Sequence, residues 1–207
     1  MNLPDLTPRL IVGISGASGV IYGIRILEML RDTPVETHRV VSRAARLTLA
    51  QETDLRLSDL EQLADVNHAH QDVGASIASG SFRTMGMVVA PCSIRSMSEI
   101  ASGVTSNLLT RAADVTLKER RKLVLMVRET PLHRNHLRTM ADLSELGAII
   151  APPVPALYVK PESIDDLVDH TVGRVLDLFD IETGLVKRWA GTAEELKVSE
   201  PTPRTRE

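Results

Sequence analysis

The sequence predicts a single doubly wound α/β domain, in which a parallel sheet carries helices on both faces. Short apolar runs that end at Gly, Pro or Ser alternate with segments in which apolar residues recur every three or four positions. Among 207 residues there are only one Trp, two Tyr and two Phe, so the core must be aliphatic. Such cores suit parallel strands, because these are buried on both faces.

The first half of the chain contains two predicted strand–helix units. Residues 10–13 form an apolar run that stops at a Gly/Ser turn, and residues 20–30 follow with apolar positions at helical spacing. Residues 35–41 alternate as a strand does. Ser42 is a typical N-cap for a helix over residues 43–52.

The second half repeats this alternation and brings the predicted number of strands to five. The three further strands are residues 85–90, 122–127 and 148–151. The remaining predicted helices are residues 58–64, 96–101, 107–118, 137–146 and 164–179. Gly147 and Ser163 are typical of a helix end and a helix start, respectively. The domain is predicted to span residues 1–191, and residues 192–207 to form a flexible tail.

Composition excludes several classes of protein. The chain has 24 Lys and Arg against 27 Asp and Glu, a net charge of −3, so no overall basic field would attract nucleic acid or an anionic membrane. The single Cys92 excludes internal disulfides and fits a reducing compartment. The N-terminus lacks a signal-peptide pattern, and no run of about 18 apolar residues occurs. We therefore expect a soluble, cytoplasmic protein.

Two loops at the carboxyl ends of the predicted strands carry glycine and hydroxyl groups, where ligands of such sheets bind. Residues 13–19, GISGASG, would let backbone N–H groups approach an oxyanion at a helix N-terminus. This loop matches neither the dinucleotide fingerprint nor a P-loop, and a turn that needs glycine only for packing is the alternative. Residues 90–96 suit a phosphate through Ser93 and Arg95, or form an ordinary N-cap, with Cys92 as a small buried filler.

Charged residues mark two further places. Arg111 and Lys118 are seven apart and share one helix face, for which a solvated basic face is the default interpretation. Arg128 and Glu129 follow a predicted buried strand at the ligand-bearing edge. There Arg128 can bind a phosphate and Glu129 can exchange protons, and an Arg128–Glu129 ion pair is the alternative.

No metal site is predicted. His68 and His70 lie two apart and His133 and His136 three apart, and neither pair has a third ligand at a convincing spacing. The order of Ser, His and Asp residues matches no known triad, and Cys92 has no obvious His partner, so hydrolase chemistry is not indicated.

Together these loops resemble the UbiX-type flavin prenyltransferases over residues 11–189. The matching segments, in order, are Gly16-Ala-Ser-Gly19, Ser42-Arg-Ala-Ala, Ser79-Gly-Ser81, Pro91-Cys-Ser93, Arg111-Ala-Ala-Asp114, Leu117-Lys-Glu-Arg120, Arg128-Glu-Thr-Pro-Leu132, His136-Leu, Pro155-Ala-Leu-Tyr158 and Arg188-Trp189. The resemblance implies a flavodoxin/Rossmann-like sheet and a metal-independent enzyme that transfers a dimethylallyl group from dimethylallyl phosphate to reduced FMN. Bonds would form at flavin N5, with loss of phosphate, and then at C6. The product, prenylated FMN, would serve a UbiD-type decarboxylase, and the chains would form a homo-oligomer, typically a dodecamer with sites between subunits.

The resemblance also assigns residues to the site. Those that match FMN contacts are Gly16, Ala17, Ser18, Ser42, Ser93, Ile94, Arg95, Ser96 and Arg128. Those that match the surroundings of dimethylallyl phosphate are Lys118, Glu129, Tyr158 and Arg174, with Arg111 nearby. Catalytic roles are implied for Ser18, Arg111, Lys118 and Glu129: cations would stabilise the departing phosphate, and Ser18 and Glu129 would carry protons. Taken alone, Tyr158 would be a buried aromatic with a polar tip and Arg174 a solvated helix residue.

Two departures from the family pattern concern the prenyl donor. Leu157 stands where many relatives have Phe, and residues 72–78 lack an expected aromatic, which thins a wall that could stabilise an allylic cation. The donor's chain length and phosphorylation state stay open. Two alternative functions remain: a flavin-dependent cysteine decarboxylase, whose Pro-Met-Asn-type segment is replaced here by residues 128–132, and a non-catalytic FMN-binding partner of a decarboxylase.

Overall fold

A computed structural model describes residues 7–186 and residue 188. Within them, six strands form one sheet in the order β3-β2-β1-β4-β5-β6, and all neighbouring strands are parallel. The strands are β1 (Arg9–Ile14), β2 (Glu36–Val41), β3 (Val66–His68), β4 (Gly86–Cys92), β5 (Lys122–Val127) and β6 (Ala148–Ile150). The predicted doubly wound parallel fold is confirmed, and its strand order is the one typical of dinucleotide-binding sheets.

Helices cover both faces of this sheet. They are α1 (Val20–Leu30), α2 (Arg43–Glu52), α3 (Leu57–Glu61), α4 (Ile94–Ala101), α5 (Leu108–Lys118), α6 (Arg134–Glu145) and α7 (Ile164–Asp177), with 3₁₀ turns at Ser76–Ala78 and Leu157–Val159. One aliphatic core layer joins the sheet to α1, α2, α3 and α7, and the other joins it to α4, α5 and α6. In the described part of the chain, no helix is long and apolar enough to cross a bilayer.

The predicted helix boundaries with cap residues are confirmed. The Ser42 hydroxyl accepts the Ala45 N–H at 3.1 Å, and the Ser163 hydroxyl accepts the Asp166 N–H at 3.1 Å. Gly147 follows α6 with φ of +100°, a conformation that side chains disfavour and glycine adopts freely. The cap residues therefore mark these boundaries correctly.

Several predicted elements need correction. The prediction of five strands is wrong, because β3 was missed. It is a three-residue strand in a polar region, and among the described strands it pairs with β2 alone. Helix α4 begins at Ile94 rather than residue 96, because Ser93 is its N-cap, and α6 begins at Arg134 rather than residue 137, after the cap His133. The predicted tail, residues 192–207, lies outside the described residues.

Strand order places a crevice beside β1. The chain runs outward from β1 to β2 and β3, and then returns to β4 on the other side of β1. The loops after β1 and β4 therefore diverge at the carboxyl edge of the sheet, which is where ligands of this fold class bind.

Candidate active site

Three helix N-termini converge on one pocket in this crevice. The pocket has a volume of about 260 Å³, and Ser42, Ser93 and Asn107, the N-caps of α2, α4 and α5, line it. Each cap side chain accepts an N–H from its own helix, at 3.1, 3.2 and 3.1 Å, respectively. A helix N-terminus carries about half a positive charge, so three together favour an anion such as a phosphate.

Gly16 allows the loop after β1 to reach this pocket. A Cβ at Gly16 would lie 2.2 Å from the Cβ of Ala44, so any side chain here would push the loop away from α2. Close packing therefore requires glycine at this position, and the close approach also makes Gly16 part of the pocket lining.

A buried hydroxyl joins the loops after β1 and β4. Ser15 Oγ donates to the Pro91 carbonyl oxygen at 2.9 Å and accepts the Ser93 N–H at 2.7 Å. Sequence reasoning counted Ser15 only as part of the glycine-rich loop. The available signal was its position, a hydroxyl directly after a buried strand.

The N-terminus of α1 is occupied by a carboxylate of the chain itself. Glu52 Oε2 accepts the N–H groups of Gly19 at 2.8 Å and Val20 at 3.0 Å, and the carboxylate also bonds the Ser18 hydroxyl. Among the described residues, the oxyanion at this helix start is therefore the carboxylate of Glu52. Burial acts to raise the pKa of Glu52, but the hydrogen bonds from Ser18, Gly19 and Val20 outweigh it and hold that pKa below its usual range.

Arg128 lies beside this cluster. Its main-chain N–H donates to the Cys92 carbonyl oxygen at 3.1 Å, which ties the loop after β5 to the end of β4. The Arg128 charge helps to lower the pKa of Glu52, and it opposes the burial that raises the pKa of Tyr22. Ser18 and Arg128 are therefore neighbours of one carboxylate, Glu52, which sequence reasoning missed because it lies 33 residues from Gly19.

The structure brings part of the predicted FMN set together. Those that line the pocket are Gly16, Ser42, Ser93, Arg95 and Ser96. Among the other members, the Ala17 N–H donates to the Ser15 carbonyl oxygen at 3.0 Å and Ile94 packs against the core. The Arg95 side chain is exposed and pairs with Glu99 at 2.8 Å.

Further lining residues were not predicted from sequence, among them Arg43, His70, Gln71, Glu99 and Asn107. The His70 Nδ1 is buried and has no hydrogen-bond partner among the described residues. Burial lowers the pKa of His70, and the positive charge of Arg43 lowers it further, so the ring is neutral near pH 7. It can donate to or accept from a bound ligand.

Tyr158 and Arg174 line a second cavity of about 320 Å³, beyond the end of β6. The Tyr158 hydroxyl lies 3.2 Å from His170 Nε2, and Arg174 donates to Asp177 at 2.7 Å. Tyr158 is 50% exposed, so the interpretation of this residue as a buried aromatic is wrong. Two of the four residues assigned to the prenyl phosphate, Tyr158 and Arg174, thus share one cavity.

Arg111 and Lys118 line neither the pocket beside β1 nor the cavity of Tyr158 and Arg174. Arg111 donates to the Ala78 carbonyl oxygen at 3.2 Å and to Asp114 at 2.9 Å. Lys118 is the last residue of α5, pairs with Glu119 and precedes the start of β5, so it lies at the amino edge of the sheet. One chain does not bring Lys118 to the pocket.

Glu129 is exposed just beyond β5. Its carboxylate accepts the Thr130 N–H at 3.0 Å, and the described residues show no ion pair between Glu129 and Arg128. The ion-pair alternative is therefore not observed, and neither is burial of Glu129 within one chain.

Other candidate centres give no site. In the described part of the chain, no three His, Cys, Asp or Glu side chains gather as metal ligands would. Burial raises the pKa of the Cys92 thiol to about 12, so this cysteine is not a thiolate nucleophile at neutral pH.

A doubly wound sheet with an anion pocket between β1 and β4 is typical of flavoproteins, and residues 2–176 match the Flavoprotein family model. The chain is 60% identical over 186 residues to flavin prenyltransferase UbiX of Escherichia coli K12, covering 88% of this chain and 98% of that protein. The crystal structure of AnUbiX (PadA1) in complex with FMN and dimethylallyl pyrophosphate has a TM-score of 0.88 and 50% identity, covering 89% of this chain and 98% of that one. The crystal structure of a dodecameric FMN-dependent UbiX-like decarboxylase from Escherichia coli O157:H7 has a TM-score of 0.87 and 48% identity, covering 88% of this chain and 100% of that one. The chain belongs to the UbiX family of flavin prenyltransferases.

The position of Glu52 predicts a pH-dependent stability. Glu52→Gln should lower the free energy of unfolding at neutral pH by about 0.5 kcal/mol, the value of an exposed charge at a helix N-terminus. Because the folded pKa of Glu52 lies below the ordinary 4.5, this contribution is full above that pH and is lost as the pH falls through the folded value.

Urea denaturation between neutral pH and about pH 3 measures this effect. The difference between the variant and the wild type should shrink below pH 4.5. Glu145→Gln, which removes an exposed carboxylate from the end of α6, is the matched control and should not show the loss of unfolding free energy that Glu52→Gln shows at neutral pH. A Glu52→Gln deficit that is constant across the pH range would contradict the prediction.

Proposed function

We propose that this chain transfers a dimethylallyl group from a dimethylallyl phosphate to reduced FMN. The observation that carries the proposal is the pocket where Ser42, Ser93 and Asn107 place three helix N-termini around one volume, which suits the FMN phosphate. The 60% identical relative is a flavin prenyltransferase, and the AnUbiX structure holds FMN together with dimethylallyl pyrophosphate.

The residues of the pocket fit FMN. The serine hydroxyls can donate to phosphate oxygens, and the absent side chain of Gly16 leaves room along the loop after β1. His70 Nδ1, which has no hydrogen-bond partner among the described residues, offers a further polar contact. Bound reduced FMN supplies the nucleophilic atoms N5 and C6. Ser18 and Arg128 flank Glu52. In the proposed site both face the FMN, where Arg128 binds the cofactor and Ser18 carries a proton.

The donor phosphate is assigned to the cavity of Tyr158 and Arg174. As the C–O bond of the donor breaks, the leaving phosphate gains negative charge. A phenolic O–H and a guanidinium aimed at it therefore bind the transition state more strongly than the ground state. Asp177 orients Arg174 for this role, because Asp177 Oδ2 accepts hydrogen bonds from Arg174 at 2.7 Å and from Arg188 at 2.8 Å.

A homo-oligomer, a dodecamer in our proposal, completes the site. Lys118 and the pocket lie at opposite edges of the sheet, so only a neighbouring subunit could supply Lys118 to a given pocket. Val154, Leu157 and Ile164 are 71%, 71% and 79% exposed, and an assembly would cover them. The relative from Escherichia coli O157:H7 is dodecameric.

The product, prenylated FMN, would serve a UbiD-type decarboxylase in the cytoplasm. The family resemblance supports the recipient. The single, buried Cys92 fits a reducing compartment, which supports the location.

Anaerobic incubation with chemically reduced FMN tests the function. Dimethylallyl phosphate and dimethylallyl pyrophosphate are supplied in separate arms, and the released flavin is analysed by mass spectrometry. We expect the flavin to gain one dimethylallyl unit with at least one donor, and no gain with oxidised FMN. Tight FMN binding with unchanged flavin in every arm would instead favour the non-catalytic partner.

Glu129→Gln should bind FMN nearly as the wild type does and slow prenyl transfer by about 10²–10⁴-fold, the usual cost of losing a general acid–base group. Gln keeps the shape of Glu129 but can neither take up nor release a proton. Single-turnover kinetics on the flavin-loaded variant measure the rate. A rate within a few-fold of wild type would remove Glu129 from the catalytic set.

Co-expression of two inactive variants tests the shared site. Lys118→Met and Glu129→Gln are each expected to abolish prenyl transfer in oligomers made of one variant alone. If the two residues of one site come from different chains, about a quarter of the sites in randomly mixed oligomers contain both wild-type residues. If they come from one chain, no site does. Recovered prenyl transfer is therefore the expected result, and its absence in verified mixed oligomers would contradict the shared site.

A further inference from the structure

Tyr158 contacts a buried histidine at the edge of the second cavity. The Tyr158 hydroxyl oxygen lies 3.2 Å from His170 Nε2, and the rings meet edge to face, with centroids 5.7 Å apart and planes at 86°. Arg174 follows His170 by one helical turn on α7, so both project from the same face. All three residues line the cavity of about 320 Å³.

His170 is the rigid member of this pair. It is only 5% exposed and lies in the middle of the 14-residue α7, whereas Tyr158 is 50% exposed in the three-residue 3₁₀ turn Leu157–Val159. The described contacts that stabilise this turn are two backbone hydrogen bonds, from the Val159 N–H to the Ala156 carbonyl oxygen at 3.4 Å and from the Lys160 N–H to the Leu157 carbonyl oxygen at 3.1 Å. A contact with a fixed side chain therefore restrains the orientation of the phenol.

The surroundings of His170 determine which ring nitrogen carries the proton. Burial lowers the pKa of His170, and Arg174 lowers it further against the opposing charge of Asp177, so the ring is neutral near pH 7. Nδ1 is buried without a hydrogen-bond partner among the described residues, whereas Nε2 faces the Tyr158 oxygen. A buried N–H without an acceptor is rare and costly, so the proton belongs on Nε2.

We infer that His170 is a positioning residue, whose Nε2–H donates to the Tyr158 oxygen and leaves the phenolic proton to bind the donor phosphate beside Arg174. A hydroxyl has a single proton, so a Tyr158 that donated to His170 could not donate to the phosphate. An oxygen that accepts one hydrogen bond also becomes a better donor in the next. The inference rests on the proposed function, because it assigns the phosphate to this cavity.

Two substitutions separate hydrogen bonding from packing. His170→Leu introduces an apolar side chain of similar size and removes the hydrogen-bond donor. His170→Gln places an amide N–H near the position of Nε2. We expect His170→Leu to lower kcat/KM for the prenyl donor by about ten- to a hundred-fold, because a Tyr158 hydroxyl that is no longer oriented loses its hydrogen bond to the charged phosphate. His170→Gln should restore most of this loss. FMN affinity should stay unchanged in both.

A double-mutant cycle with Tyr158→Phe decides whether His170 acts through the hydroxyl. In the Tyr158→Phe background, His170→Leu should cause no further loss, because the hydroxyl that it positions is already absent. Val168→Ala, a buried residue of α7 outside the cavity lining, is the control and should cost the same in both backgrounds. A His170→Leu loss of equal size in both backgrounds would overturn the inference.

Binding of dimethylallyl phosphate to the oligomer loaded with oxidised FMN gives a second readout, because oxidised flavin cannot be alkylated and no turnover interferes. Calorimetry should show a weaker Kd in His170→Leu and the same non-additivity with Tyr158→Phe. If the wild type makes no prenylated flavin, the proposed function is wrong, but this binding cycle still tests whether His170 acts through the Tyr158 hydroxyl. Additive losses of affinity would overturn that inference.

Discussion

The buried hydroxyl of Ser15 connects the two loops on which the pocket depends. It donates to the Pro91 carbonyl oxygen and accepts the Ser93 N–H, so it uses both of its hydrogen-bonding roles between the ends of β1 and β4. These strands are neighbours from which the chain leaves in opposite directions, and without a bridge their loops would diverge. Because Ser93 is the N-cap of α4, the bridge also sets where that helix begins, and with it one wall of the pocket.

Charge is divided unequally among the helix N-termini at this edge. The start of α1 is neutralised by Glu52, a residue of the same chain. In the described part of the chain, the caps of α2, α4 and α5 are instead the neutral side chains of Ser42, Ser93 and Asn107. Three helix dipoles are therefore left for an external anion, and the fourth is satisfied internally. This division directs a phosphate to one side of the loop after β1 and leaves Ser18 and Arg128 with a carboxylate on the other.

Local sequence signals predicted much of this arrangement, and long-range pairing explains what was missed. Ser42 and Ser163 were found because a cap needs only its own first turn. Strand β3 was missed because three residues in a polar region become a strand only by pairing with β2. Glu52 was missed for a similar reason, since it reaches Gly19 only after α1 and β2 have folded back. The resemblance assigned Tyr158 to the site, but not the histidine that holds it, because that contact is a property of α7 packing.

Helix α5 runs between the two edges of the sheet, so residues at its two ends cannot line the same pocket. Its cap Asn107 lines the pocket at the carboxyl edge, and Lys118 ends the same helix at the amino edge. Eleven residues of helix span about 16 Å, more than a lysine side chain can bridge back. In the proposed oligomer, one helix would therefore serve two sites, its own through Asn107 and a neighbour's through Lys118. A change in the length of α5 would alter the spacing between sites as well as the pocket, which links assembly and chemistry through a single rigid element.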